Sequence, residues 1–91
     1  MKTITVQIGN SDNKLSQKQW HNFVKEVRTF IESRADEVHF FGGSSNWELW
    51  QNVTIIFNIK ESENLKSLIS QISKNYLQDA VAWTEGVTEF I

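Results

Sequence analysis

Ninety-one residues, 40% hydrophobic and 22% charged with a formal net charge of −2, suit one globular domain and do not reach a second core. The acidic balance and the lack of any basic run argue against general nucleic-acid binding, because neutralising phosphates needs a surplus of Lys and Arg. Cysteine is absent, which excludes disulfides, thiolate metal sites and cysteine nucleophiles together.

Proline is absent as well. No Gly/Ser-rich tract, single-charge block or internal repeat marks a linker, so residues 1–91 read as a single domain. The opening segment MKTITVQIG has one lysine and no apolar stretch of signal-peptide length, and no segment is long enough to span a bilayer. The expected location is cytoplasmic, with no membrane partner.

Thr3 to Ile8 alternates apolar and polar residues and predicts a half-buried strand with Ile4, Val6 and Ile8 on one face. From Ser16 the period becomes helical, with Trp20, Phe23, Val24, Val27, Phe30 and Ile31 in one stripe. Ser16 and Gln19 have the spacing of a capping box, and Leu15 and Trp20 that of a hydrophobic staple. Glu37 to Phe41 predicts a second strand and Gly42 to Asn46 a turn or loop. The third strand spans about Leu49 to Ile59, followed by a helix with Ser62 as N-cap and Leu65, Leu68, Ile69, Ile72 and Tyr76 along its stripe. Ala80 to Trp83 begins a last strand. Gly86 interrupts it as a bulge or bend, and pairing resumes over Val87 to Ile91.

The order βαββαβ is that of a ferredoxin-like split βαβ fold. It predicts an α+β two-layer sandwich: one antiparallel four-stranded sheet, order 4-1-3-2, with both helices on one face. Three connections then meet at one end, called the upper end here. They are GNSDN, GGSSNWELWQN and YLQDAVAW, the segments richest in Asn, Gln, Ser, Asp and Trp. The lower-end connections SRADE and KESEN are charged and solvated.

Candidate binding residues are therefore Asn10, Ser11, Asp12 and Asn13 in the first connection and Asn46, Trp47, Trp50 and Gln51 in the second. Gln78, Asp79 and Trp83 join them from the third. Asn and Asp also serve turns simply by bonding their own backbone and tolerating left-handed conformations. The tryptophans either close the end of the core or offer stacking and anchoring surfaces. Gln51 shares the inward parity of Val53, so its amide needs partners, from among Asn10, Asp12 or Gln78. Those bonds make either an internal polar network or the floor of a ligand site.

Other chemistry is poorly supported. His21 and His39 have no second ligand at metal spacing, and Asp12 with Asp79 is a thin basis for a hard-cation site, so no metal or cofactor is expected. No G-x-S-x-G or Ser-His-Asp arrangement appears, and GGSS lacks the lysine of a P-loop. The open sheet face, read as Thr5, Gln7, Thr54, Ile56 and Asn58, offers no ring for stacking RNA bases. Ile56 with Phe41 suits a modest homodimer interface instead.

The pattern IGNSDNKLSQ…W, WQN and QDAVAWTEG resembles a set of small bacterial and mobile-element proteins that bring no established activity with them. Stand-alone domains of that kind are often inhibitors or immunity factors. The resemblance implies a non-enzymatic protein that recognises a partner macromolecule, most naturally a protein, through the upper-end loops. The alternative is a protein that binds or sequesters a polar or nucleotide-like metabolite.

Overall fold

The computed structural model describes residues 2–44 and 51–91. Strand β1 (Lys2–Gly9) alternates as its sequence requires, burying Ile4, Val6 and Ile8. After a short 3₁₀ turn, helix α1 (Gln17–Arg34) starts on a complete capping box. Gln19 N–H donates to Ser16 Oγ at 3.2 Å, and Ser16 N–H donates to Gln19 Oε1 at 2.8 Å. Both staple residues, Leu15 and Trp20, are buried, and the helix sinks Phe23, Val27 and Ile31 along the same stripe.

Strands β2 (Glu37–Ser44) and β3 (Asn52–Asn58), helix α2 (Glu63–Asn75) and strand β4 (Ala82–Val87) complete the chain. The sheet runs β2-β3-β1-β4, antiparallel throughout, so the βαββαβ arrangement has β1 and β3 at its centre. One apolar cluster fills the space between sheet and helices, with Ile4, Phe23, Ile31, Phe57 and Leu65 fully enclosed. Phe23 stacks on Tyr76 with centroids 4.9 Å apart, tying α1 to the end of α2. The Tyr76 hydroxyl donates to Glu26 Oε2 at 2.9 Å; burial first, and this bond second, push the phenol pKa up.

Four features depart from the sequence reading. Strand β2 does not stop at Phe41 but runs through Gly42 and Gly43, which pair with Thr54 and Val53. Gly43 has φ +147°, and a Cβ there would lie 2.2 Å from the Asn52 carbonyl oxygen, so glycine serves the ladder rather than a turn. A register shift between Val38 and Phe40 makes His39 an extra, bulged residue and reverses the side-chain parity beyond it. Phe41 therefore opposes Ile55 and packs against the core, while Phe40 opposes Ile56 on the open face and is 50% exposed.

Strand β4 passes Gly86 without interruption, pairing it with Thr3, and ends at Val87. The last residues make no strand. Thr88 hydrogen-bonds through its hydroxyl to that of Thr3, and the Phe90 ring lies 6.2 Å from that of His39. The tail thus crosses the open face from β4 towards β2, and Asn58, on that face, is buried beneath it and accepts from Thr3 Oγ1 at 3.0 Å.

Ser62 occupies the N-cap position of α2 but does not cap it. Its buried hydroxyl accepts from Lys2 Nζ at 2.9 Å, and the Glu61 carboxylate takes the free Glu63 N–H at 2.8 Å. Lys2 also pairs with Glu85 at 2.7 Å. That hydrogen bond holds the Glu85 carboxyl below its ordinary pKa and raises that of the Lys2 ammonium. Among the described residues, no helix is long and apolar enough to cross a membrane.

Two outcomes follow from this packing. Trp20→Ala should cost roughly 3–5 kcal/mol in a denaturant titration, the scale for deleting a buried large aromatic, and a loss under about 1 kcal/mol would contradict the packing of α1. Because the folded Glu85 pKa is depressed, its contribution is present at neutral pH and lost as pH falls through the carboxylate range. Glu85→Gln should therefore lower Tm at pH 7 and leave it nearly unchanged well below pH 4, about where carboxylates protonate.

Candidate functional site

The upper end is organised around a buried amide. Gln51, immediately before β3, is 1% exposed, and its Oε1 accepts from Asn10 Nδ2 and from Gln17 Nε2, each at 3.1 Å. Gln51 Nε2 donates back to Gln17 Oε1 at 2.9 Å, and the Gln51 backbone carbonyl accepts from Asn10 N–H at 3.1 Å. Asn10 closes the loop on its own side. Its Nδ2 also donates to the Leu15 carbonyl at 3.1 Å, and its Oδ1 accepts from Leu15 N–H at 3.0 Å. Three elements, the end of β1, the first turn of α1 and the entry to β3, are joined by fully engaged amides. Asn10 and Gln51 are thus internal, and Gln17 is their third partner.

The rest of the first connection turns the chain. Ser11 to Asn13 form the 3₁₀ turn, and Asp12 and Asn13 take φ of 56° and 51°. That left-handed region is costly for most side chains and tolerated by Asp and Asn. Both side chains are exposed, as is Lys14, which pairs with Asp79 at 3.5 Å. Asp79 is 84% exposed at its side chain, so this ion pair adds little stability. Among the described residues, no group of three or more His, Asp and Glu side chains gathers to hold a metal ion.

The third connection begins with an unusual helix end. Leu77 N–H donates to the Lys74 carbonyl at 3.0 Å and Gln78 N–H to the Ser73 carbonyl at 2.9 Å, the two bonds of a Schellman motif. The residue that must be left-handed there is normally glycine; here it is Leu77, with φ 61° and 65% exposed. Gln78 is buried and donates from Nε2 to the Tyr76 carbonyl at 3.0 Å, so it belongs to this turn.

Trp83 lies away from Gln51, on the helix side of β4, its ring edge-on to Phe57 at 6.3 Å. It lines a groove of about 180 Å³ together with Ile69 and Val81, flanked by Lys66 and Lys74. Its indole Nε1 is buried and has no hydrogen-bond partner among the described residues. Asn46, Trp47 and Trp50 lie outside the described residues. Of the expected dimer face, Ile56 is half-buried on the open side, whereas Phe41 sits behind the sheet under the Arg28 guanidinium, 3.9 Å from its centroid.

The residues that sequence reasoning passed over are Gln17, Leu77, Phe40 and Lys66. Leu77 carried a readable signal, since it follows the last periodic position of α2 where a C-terminal glycine is expected. Lys66 and Phe40 had none, because one depends on how α2 lies beside β4 and the other on a bulge.

Asn10→Ala should cost on the order of 2–4 kcal/mol, since it strands the Leu15 N–H and part of the Gln51 amide. Asp12→Ala combined with Asn13→Ala should cost no more than about 1–2 kcal/mol, the loss of left-handed tolerance in an exposed turn. Urea titrations that reverse this ranking would show that the exposed pair, not Asn10, secures the upper end.

Compared with protein-family models, with curated proteins and with solved structures, the chain matches none.

Proposed function

We propose that this protein is a non-enzymatic binding protein of the inhibitor or immunity-factor kind, which occludes a partner protein with the upper end of its sheet. The observation that carries this reading is Leu77. A left-handed leucine costs about 1 kcal/mol relative to glycine, and its side chain is 65% exposed, so the strain brings no burial in return. A strained, exposed apolar residue fits the presentation of an anchor to a partner. Beside it stands Lys14, whose Nζ reaches the Leu77 carbonyl at 3.4 Å and pairs with the exposed Asp79, and the exposed Asp12 and Asn13 precede Lys14 in the same turn, supplying polar groups beside an apolar centre. The amide network behind these groups keeps the surface preorganised, which lowers the entropic cost of association.

A small-ligand site would be favoured by a pocket enclosed by Gln51, Asp12 and Trp83. Gln51 is instead engaged by Asn10 and Gln17, Asp12 faces solvent, and Trp83 lines a groove beside α2. Of the two exposed carboxylates, Asp79 is paired with Lys14 and Asp12 faces solvent in the turn, an arrangement suited to a rim rather than to acid–base chemistry.

Leu77→Gly separates folding from recognition. The variant should be as stable as the wild type or more stable by up to about 1 kcal/mol, because glycine relieves the strain. Recovery of the partner from a native-host lysate should fall steeply, as for the loss of about 2 kcal/mol or more at an anchor. A stabilised Leu77→Gly protein that recovers its partner undiminished would refute an upper-end anchor.

A further inference from the structure

We propose that the open face of the sheet pairs two copies of this chain, and that the tail from Thr88 to Phe90 makes that face complementary to itself. This surface is separate from the upper end and from the partner read there.

Where it is uncovered, the open face carries no charge. One row crosses all four strands as Thr84, Thr5, Ile56 and Phe40, and the next runs from Ala82 through Gln7 and Thr54 to Gly42. Neither row has an ionisable side chain, although 22% of the residues are charged. Glu37, opposite Asn58, His39 in the bulge and Glu89 on the tail lie toward the lower end. Two copies can therefore meet over the uncharged rows without setting like charges against each other, which would be costly at an interface. The apolar content is there too: Phe40 is 50% exposed, with Ile56 half-buried beside it. Interfaces between identical copies are the more apolar class.

Shape selects a second copy as the occupant, because the face is stepped. Its lower half carries the tail. Thr88 bonds Thr3, Asn58 is buried beneath, and the Phe90 ring stands 6.2 Å from that of His39 with 74% of its surface still exposed. No described segment crosses the upper half, where Gly42 presents only backbone under the edge of the Phe40 ring. Turning one copy by 180° about an axis across the strands exchanges upper and lower and keeps both β2 edges on the same side. The raised tail of each copy then lies over the bare half of the other. Phe90, which crosses towards β2, meets the Phe40 and Gly42 end of the facing rows. One operation makes both contacts, as an isologous interface requires.

Size sets the strength. A face four strands wide, with strands about 4.8 Å apart and about 20 Å long, offers roughly 400 Å². That is about half of the roughly 800 Å² per partner of a standard interface, and burying the Phe90 ring adds on the order of 150 Å². The pair is therefore a small-interface dimer that forms reversibly, in the range from about 10 μM to about 1 mM.

The test uses the full chain. Sedimentation equilibrium from about 10 μM to about 1 mM should follow a monomer–dimer equilibrium. Phe40→Lys should weaken association at least about tenfold, because its ammonium would be buried against an apolar face. Phe90→Ser, at a site too exposed to unfold the protein, should weaken it as well, and Leu77→Gly should leave it unchanged. The chain has no cysteine, so a nitroxide attached through Glu89→Cys reports from one position. Mixed with the ¹⁵N-labelled wild type, it should broaden the amide signals of Gly42 and Thr54 more than those of Thr3 and Lys25. A wild type that stays monomeric at about 1 mM would overturn the proposal. So would association indifferent to both phenylalanine substitutions, or association lost in Leu77→Gly, which would place the contact at the upper end. Broadening centred on the lower half or on the helices would overturn it equally, by showing a different mode of contact.

Discussion

The upper end of this molecule depends on one buried amide. Gln51 carries no charge, yet its amide must be satisfied because it stands 1% exposed at the entry to β3. Asn10 and Gln17 satisfy it, and in doing so fix β1, α1 and β3 relative to one another. In a low-dielectric interior these bonds reinforce each other, and losing any one leaves a costly orphan. The loop residues that follow are then free to differ in chemistry, since the geometry of the end is already set beneath them.

Against that background, two groups break local rules. Leu77 takes the left-handed place of a glycine, and Trp83 buries an indole N–H with no acceptor. Both belong to the passage from α2 into β4. Elsewhere the left-handed positions fall on Asp12 and Asn13, which tolerate them, so Leu77 is the one apolar side chain among the described residues held in that conformation. The passage is short, and Asp79 to Val81 join the two places along one side of the molecule.

The sheet itself is asymmetric. Its β2 edge carries the bulge at His39, with Arg28 over the Phe41 ring on the helix side, and its open face is crossed by the tail that runs from Thr88 to Phe90. The Phe40 ring lies over Gly42, where a Cβ would come within 2.8 Å of it, so even the exposed aromatic covers a bare stretch of backbone. The β4 edge has a regular ladder and carries Glu85, paired with Lys2 of the neighbouring strand.

What the sequence determined by itself was whatever short-range chemistry dictates. Alternation set β1 and β3, the Ser16–Gln19 box and the Leu15–Trp20 staple set the start of α1, and the order of elements set the sheet. Inward parity also showed that Gln51 needed partners, and Asn10 was among those within reach. Tertiary structure decided the rest, because each remaining feature depends on a neighbour distant in the chain. A single bulged residue exchanged the faces of Phe40 and Phe41, since side-chain direction in a strand has a period of two. Gly42 and Gly43 became strand because Thr54 and Val53 stood opposite them, and Ser62 left its capping role because Lys2 of β1 reached its hydroxyl. Trp83 was legible as a ring that needed a place; that its N–H would be buried without an acceptor, between two lysines of α2, followed only from the docking of that helix beside the last strand.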